Sequence, residues 1–468
     1  MSVTVLAVDL GSSSGRIVAG TFHEGRIDEV EVRRFPHEAR LVDGYLSWDL
    51  DYIGDEVIAG LRDAVRMFPD AISVSVDTWG VDHVALGADG EPVTPGRAYR
   101  DERTNRTLPA YTARLDEETA WAATGIAPAV INTSNQLFAF IAEEPEAAAR
   151  TERVLFLADY FTYLLSGRLG WSRSPASTSG LCVPGADAFS DEVMEALGIP
   201  RNWFGDPAPE HVVAGPCVVE GLESLTVVRA GGHDTACAVH ALQRDLDRDA
   251  YFLSCGSWSV LGVLRDDPLL SPEARALGLS NEAQADAGLR PLFNLTGMWI
   301  LQECQRQWRA EGRTDNIVEL IRLAEAAPST GVTIDTDDPR FVAPGGMVDR
   351  IRAALKETGV EGDLTEGGIV RVVLESLASR YSRAIDALNE LTGVQVPQLN
   401  LVGGGSRNAL LCQLTADALG IPVVAGPVEA SVLGSMLAQL EVMGSLDPVD
   451  RNAVIGASAS TVTYRPRR

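Results

Sequence analysis

Short apolar runs alternate with polar turns and amphipathic stretches along the chain, an order that predicts an α/β protein. VTVLAVDL reads as a buried strand, and GRIVAGTF and RIDEVEVRRF as further strands around a Gly turn. From Ile53 to Val65 the residues Val57, Ile58, Leu61, Ala64 and Val65 recur at helical spacing. AISVSVDTWGVDHVAL predicts strand, turn and strand, and ADGEPV a hairpin turn. Helices are expected from Ser134 to Arg150 and from Asp191 to Leu197, and LTVVRA is expected as a buried strand before Gly231.

The second half restarts this theme. YFLSCGSWSVLGVL is again strand, Gly turn and strand, echoing VLAVDLGSSSGRIVAG. Helical patterns follow around Gly297 to Arg309 and Gly367 to Leu391. Then come the strand QLNLVGG, a helix from Asn408 to Leu419, the strand IPVVAG, and a last helix starting near Ser431. The polar stretch QRDLDRD separates two apolar blocks and sets a boundary near Ala241 to Arg248, giving domains 1–243 and 244–468. The echo suggests two related lobes; it is not a solenoid repeat.

Composition narrows what such a protein can do. At 468 residues the chain is long for one core. Its 39 Lys and Arg against 65 Asp and Glu give a net charge of −26, which disfavours nucleic acid and anionic membrane as partners. A nucleotide is also an anion, so a site for one must rely on backbone N–H groups, a few Arg and a divalent metal. Lys356 is the only lysine, in the polar helical setting IRAALKETG, so neither a Walker P-loop nor a protein-kinase lysine can be built.

The six cysteines form no CxxC pair, which argues against zinc, and with no secretory signal in the sequence disulfides are not expected. The six histidines lack metal-ligand spacing, and His233 and His240 have no neighbouring carboxylate set in sequence. MSVTVLAVDLG is too short for a signal or membrane helix, and a cytoplasmic location is expected.

Four segments carry candidate chemistry. In Asp9-Leu10-Gly11-Ser12-Ser13-Ser14-Gly15-Arg16, a tight Gly/Ser hairpin offers N–H groups and hydroxyls to phosphate oxygens. Asp9 could hold a hydrated Mg²⁺ there and Arg16 could supply a cationic fork; an ordinary hairpin turn is the alternative. Leu399 to Asn408 places Gly403, Gly404 and Gly405 between an apolar strand and a helix, where a flat or anionic ligand can approach backbone.

Gly231-Gly232-His233-Asp234-Thr235-Ala236 sets a carboxylate at a strand mouth, suited to accept a hydroxyl proton; as a plain alternative, Asp234 only caps its helix. Asp77-Thr78-Trp79-Gly80-Val81-Asp82, with Ala98 to Thr104, offers an aromatic face, a close-approach glycine and charged groups of the kind sugar sites use. The bland readings are core packing for Trp79 and a solvated charge run for Arg100 to Arg103. Ser254 to Ser259 is the second-half counterpart of the first hairpin, and Asn294 and Gln302 flank Gly297-Met298-Trp299 at a helix start.

Taken together, DLGSSSGR, SVDTWGVD, AYRDERT, LADYFTYLLSG, GGHDTA, LSCGSWS, NLTGMWILQ and LVGGGSRNALLCQLTADALGIPV resemble, in order and spacing, the FGGY carbohydrate kinases. DTWGVD with YRDERT is most similar to members that phosphorylate L-rhamnulose. The resemblance implies two actin/hexokinase-like (ribonuclease H-like) lobes, each a mixed β-sheet flanked by helices, with a cleft between. It implies ATP and Mg²⁺, a ketose substrate, sugar binding and the base in the N-terminal lobe, and nucleotide in the C-terminal lobe.

Residue by residue, it implies Asp234 as catalytic base and Asp9 as the Mg²⁺ residue, through water. It implies Ser12, Ser13, Ser14, Gly15, Arg16, Ser257, Gln302 and Gly403 to Gly405 toward ATP. Trp79, Gly80, His233, Thr235 and Asn294 are implied toward the sugar. His83 departs from the family pattern, where an aromatic such as Phe is expected, and bears on which ketose fits. L-Fuculose, xylulose or glycerol as substrate, a non-kinase actin-like ATPase and a sugar sensor are the competing readings. A monomer or homodimer is expected.

Overall fold

The computed structural model describes residues 2–243, 250–360 and 364–467. The chain forms two compact units. Unit 1 comprises Met1–Asp245, Leu264–Pro291 and Ala430–Ala459; unit 2 comprises Leu246–Val263, Leu292–Glu429 and Ser460–Arg468. The boundary expected at 243/244 adjoins residues 244–249, which lie outside the described residues.

Unit 1 is built on a six-stranded mixed sheet, in the order Val212–Pro216, Thr226–Arg229, Ala71–Thr78, Val3–Leu10, Ser14–His23, Arg26–Pro36. The strand Val3–Leu10 pairs antiparallel with Ser14–His23 and parallel with Ala71–Thr78. Leu6, Val8 and Leu10 are wholly buried, as an uninterrupted apolar run in a central strand requires.

Helices cover both faces. Ile17 and Gly20, three apart on one strand, point to opposite sides. A Cβ on Gly60 of the helix Leu50–Met67 would come within 2.6 Å of Ile17, and a Cβ on Gly20 within 2.3 Å of Met436 on the helix Ala430–Val442. The first helix is capped by Asp49, which accepts from Tyr52 N at 3.0 Å, and it buries Leu50, Ile53, Val57, Leu61 and Ala64.

The second helix carries polar groups into the core and satisfies each of them: Ser73 Oγ donates to Gln439 Oε1 at 2.8 Å, and Gln439 Nε2 donates to Leu6 O at 3.0 Å. Gly434 lets this helix meet the helix Asp234–His240, because a Cβ there would lie 1.8 Å from Cys237 O.

Unit 2 repeats the plan around the neighbouring strands Ala250–Cys255, Leu399–Val402, Val423–Ala425 and Val462–Tyr464, in that order. Ala250–Cys255 pairs parallel with Leu399–Val402, which pairs parallel with Val423–Ala425. The long helix Glu366–Thr392 packs Val370, Leu374, Leu377 and Tyr381 into its core. No helix among the described residues is long and apolar enough to cross a membrane.

Two details differ from the sequence reading. The helix expected from Ser134 to Arg150 is two, Thr133–Glu143 and Pro145–Arg150, because Pro145 has no N–H to continue the ladder. Arg103, for which a solvated charge run stood as the bland alternative, is buried and donates to Ala98 O and Gln136 Oε1 at 2.9 Å each.

Candidate active site

The parallel strands of unit 1 deliver their carboxyl ends to one edge, where open α/β sheets bind ligands. Asp9 and Asp77 are register partners on neighbouring strands, and Thr78 N donates to Gly232 O at 3.0 Å, which brings the Gly231–Thr235 turn beside them. Three carboxylates therefore feel one another. Asp77 is completely buried and neither of its oxygens has a hydrogen-bond partner. Burial first, then the charges of Asp9 and Asp234, hold its carboxyl well above the usual range.

Asp77→Asn is therefore expected to stabilise unit 1. A carboxyl whose pKa is raised on folding is harmless while both states are protonated and destabilises as pH climbs above its unfolded value, about 3.9. The gain in melting temperature should be near zero at pH 3 and grow toward neutrality, at about 2–4 °C per kcal/mol. Thermal melts of both proteins across that range would refute this if the mutant were no more stable at neutral pH.

Asp234 opens the helix Asp234–His240. Although 37% of its side chain is exposed, burial by the surrounding protein and the charge on Asp9 push its pKa up to about 6. Thr235 Oγ1 donates to its Oδ1 at 3.0 Å. His233 Nε2 lies 3.4 Å from the same oxygen.

Gly80 faces His233: a Cβ there would sit 3.1 Å from His233 Nε2 and from Thr178 Oγ1. The next residue, Val81, holds φ +67°, a strained value for a β-branched side chain. Its N–H is held by Thr178 Oγ1 and its carbonyl by Thr133 Oγ1 and Gln136 Nε2. Trp79 is buried, stacked on His37 and tilted against Trp48; both indoles donate to Asp82 Oδ2, at 2.9 and 2.7 Å. His83 is buried in a strand, and burial followed by the Arg103 charge pushes its pKa down to about 3, so its ring is neutral.

The Gly/Ser hairpin divides into exposed and packed residues. Ser12 and Ser13 are exposed at its tip and Ser14 is half-buried. Gly15 answers to packing, since a Cβ would lie 2.4 Å from Phe35 Cζ. Arg16 is turned onto Asp9, with Nε 2.7 Å and Nη2 2.5 Å from its Oδ2.

In unit 2, Ser257 Oγ donates to Gln302 Oε1 at 2.9 Å, and Met298 N donates to Gly256 O at 2.9 Å, tying that hairpin to the helix Trp299–Ala310. Of the three glycines, Gly403 has φ +81°, Gly405 would strike Cys255 Sγ at 2.3 Å, and Gly404 alone faces open space. Asn294 is an exposed strand residue of unit 2.

Sequence reading missed several buried partners. Asp77 could have been found, as an acid ending an apolar strand next to one ending in Asp9. Arg290 and Glu282, behind His233, carry no local signal. His240, read as lacking a carboxylate, meets Glu441 Oε2 at 3.2 Å beside His211; Arg451 holds the same Glu441 through Nε at 2.6 Å, so that carboxylate is already engaged in an ion pair.

Comparison with known proteins finds two family domains along the chain. Residues 4–240 match the N-terminal domain, and residues 251–441 the C-terminal domain, of the FGGY family of carbohydrate kinases. A rhamnulokinase of Bacteroides thetaiotaomicron is 35% identical, covering 100% of this chain and 96% of its own. One of Pectobacterium atrosepticum is 37% identical, covering 94% and 88%.

Among solved structures, a xylulose kinase from Lactobacillus acidophilus superposes with TM-score 0.81 at 16% identity, over 99% of this chain and 94% of that one. Plasmodium falciparum glycerol kinase with ADP gives TM-score 0.81 at 13% identity, over 99% and 94%. These two share the fold, the actin/hexokinase-like α/β architecture. With both domains matched in order and relatives aligned along nearly the whole length, the chain belongs to the FGGY family of carbohydrate kinases.

Proposed function

We propose that the protein transfers the γ-phosphoryl group of ATP to the terminal hydroxyl of L-rhamnulose, giving L-rhamnulose 1-phosphate and ADP. The observation that carries the chemistry is Asp234, a partly open carboxylate at a helix start beside His233, whose ring in turn lies against Gly80. The ketose is supported by the end-to-end similarity to rhamnulokinases.

In the reaction, Asp234 accepts the hydroxyl proton as that oxygen bonds to the γ-phosphorus. The bond from phosphorus to the β,γ-bridging oxygen breaks, and ADP leaves with its electron pair. Unit 1 holds the sugar through Gly80, His233, Thr235 and the Trp79 face. Ser12 to Ser14 meet phosphate oxygens through N–H groups and hydroxyls. Arg16 stays on Asp9 and orients it. Unit 2 takes the nucleotide at Ser257, Gln302 and the open Gly404, and its exposed Asn294 is assigned to the sugar.

The carboxylates fit a divalent cation, since the orphaned oxygens of Asp77 lie beside Asp9. Mg²⁺ held there directly or through water would neutralise phosphate charge. Six buried, unpaired thiols suit a reducing compartment and support a cytoplasmic location.

The test is ADP release with Mg²⁺-ATP against L-rhamnulose, L-fuculose, D- and L-xylulose, L-ribulose and glycerol. L-Rhamnulose should lead in kcat/KM by tenfold or more, about 1.4 kcal/mol of transition-state binding. A lead by another ketose would overturn the substrate and make His83 the first residue to change. No sugar-dependent release at all would overturn the reaction.

A further inference from the structure

Behind His233 lies a pair of buried charges for which the reaction above has no use. Arg290 has no exposed surface, and Glu282 is 6% exposed. Arg290 Nε donates to Ala283 O at 2.9 Å, and its Nη2 lies 2.9 Å from Glu282 Oε2 and 2.6 Å from His233 Nδ1. All these residues belong to unit 1.

We propose that Arg290, held by Glu282, is a positioning residue that fixes His233 as a neutral imidazole with its proton on Nε2. The ring then presents an N–H to Asp234 and to a sugar oxygen at Gly80. The tautomer follows from geometry alone; its effect on turnover rests on the sugar-kinase reading.

A guanidinium carries only donors and keeps its proton in proteins. At 2.6 Å from Arg290 Nη2, His233 Nδ1 must therefore be the acceptor, and the one proton of the neutral ring sits on Nε2. An imidazolium would set N–H against N–H at that distance. Burial and the Arg290 charge oppose it as well, holding the His233 pKa well below its ordinary value.

Removing the guanidinium would reverse the ring's polarity. Nδ1 lies 3.7 Å from Glu282 Oε2, so the proton would move to the carboxylate side. Nε2 would be left with a lone pair 3.4 Å from Asp234 Oδ1, repelling the base it now supports. Glu210, a further charged neighbour of this turn beside Asp9 and Asp77, is occupied by the N–H groups of Gly232 and Ser174.

Long-range ¹H–¹⁵N correlation spectra of the full chain report the tautomer directly, with His233 identified by its loss in His233→Gln. The wild type should show a protonated Nε2 and a bare Nδ1, unchanged over about pH 6 to 8. Arg290→Met should give a mixed or Nδ1-protonated ring. Because that change strands a buried Glu282, the apolar double variant Arg290→Met/Glu282→Leu is examined beside it.

Folded variants should lose kcat/KM for the sugar by about a hundredfold while the KM for ATP moves less than about twofold, a split that general loosening would not give. A wild-type His233 protonated on Nδ1 overturns the assignment. So does a folded Arg290→Met variant with the original tautomer, or a folded double variant with undiminished kcat/KM. If the wild type phosphorylated no sugar, the spectra would still decide the role of Arg290.

Discussion

Asp234→Asn is expected to lower kcat by about 10²–10⁴-fold, the contribution of a positioned general base, while sugar affinity changes by only severalfold. The amide keeps the shape of the carboxylate and can still accept from Thr235 Oγ1, which lies 3.0 Å from Oδ1 in the wild type. The negative charge and with it the capacity to take a proton are lost.

The pH profile supplies a second reading of the same group. Since the base must be ionised and its pKa is pushed up to about 6, wild-type kcat/KM should be full well above pH 6 and fall tenfold per unit well below it. The residual activity of Asp234→Asn should lack that acid limb. Wild-type-like turnover in the variant, or the same limb in both proteins, would remove Asp234 from the base role.

Gly434→Ala is expected to have the largest effect on stability, more than about 3 kcal/mol, at the upper end of what overpacking costs. The added Cβ would lie 1.8 Å from Cys237 O and 2.7 Å from its carbonyl carbon. Neither neighbour is a flexible side-chain tip. Relief requires the helix Ala430–Val442 to move off the helix Asp234–His240, which carries the base.

Gly404→Ala is the matched control. Open space surrounds that position, so its stability should stay within about 0.5 kcal/mol. Chemical denaturation distinguishes the two, and a Gly434→Ala protein as stable as the wild type would mean that the helices do not cross at this distance.

These predictions mark where sequence reading succeeded and where it ran out. The run Val3–Leu10 was legible because a central strand buried on both faces needs continuous apolar residues. Asp9 and Asp234 were visible as acids at a strand end and a turn, whereas Asp77 stood in its segment without being given a role. The mutual influence of the three was not visible, because it depends on the pairing of Asp9 with Asp77 in register.

Glycine-rich turns were only half legible. A ligand cradle and a packing constraint look alike in sequence, and the structure assigns Gly15 and Gly405 to packing against Phe35 and Cys255, leaving Gly404 open. The helix Arg103–Arg114 went unread because Arg103 and Thr104 mimic a solvated segment, although both are buried. Likewise, the pattern near Ser431 announces an apolar helix without saying which sheet it covers.

That helix also sets an order of events during synthesis. Gln439 donates to the carbonyl of Leu6, 433 positions earlier in the chain, and Ser73 reaches the same side chain across 366 positions. On a ribosome adding about 5–20 residues per second, the first strand waits roughly 20–90 s for its covering helix. Until then one face of its sheet is bare, and closing so long a loop is a slow, entropy-limited step. These strands thus depend on a helix made 433 and 366 positions after the residues it bonds, and the interval between them is when a nascent chain is most exposed to aggregation and to chaperones.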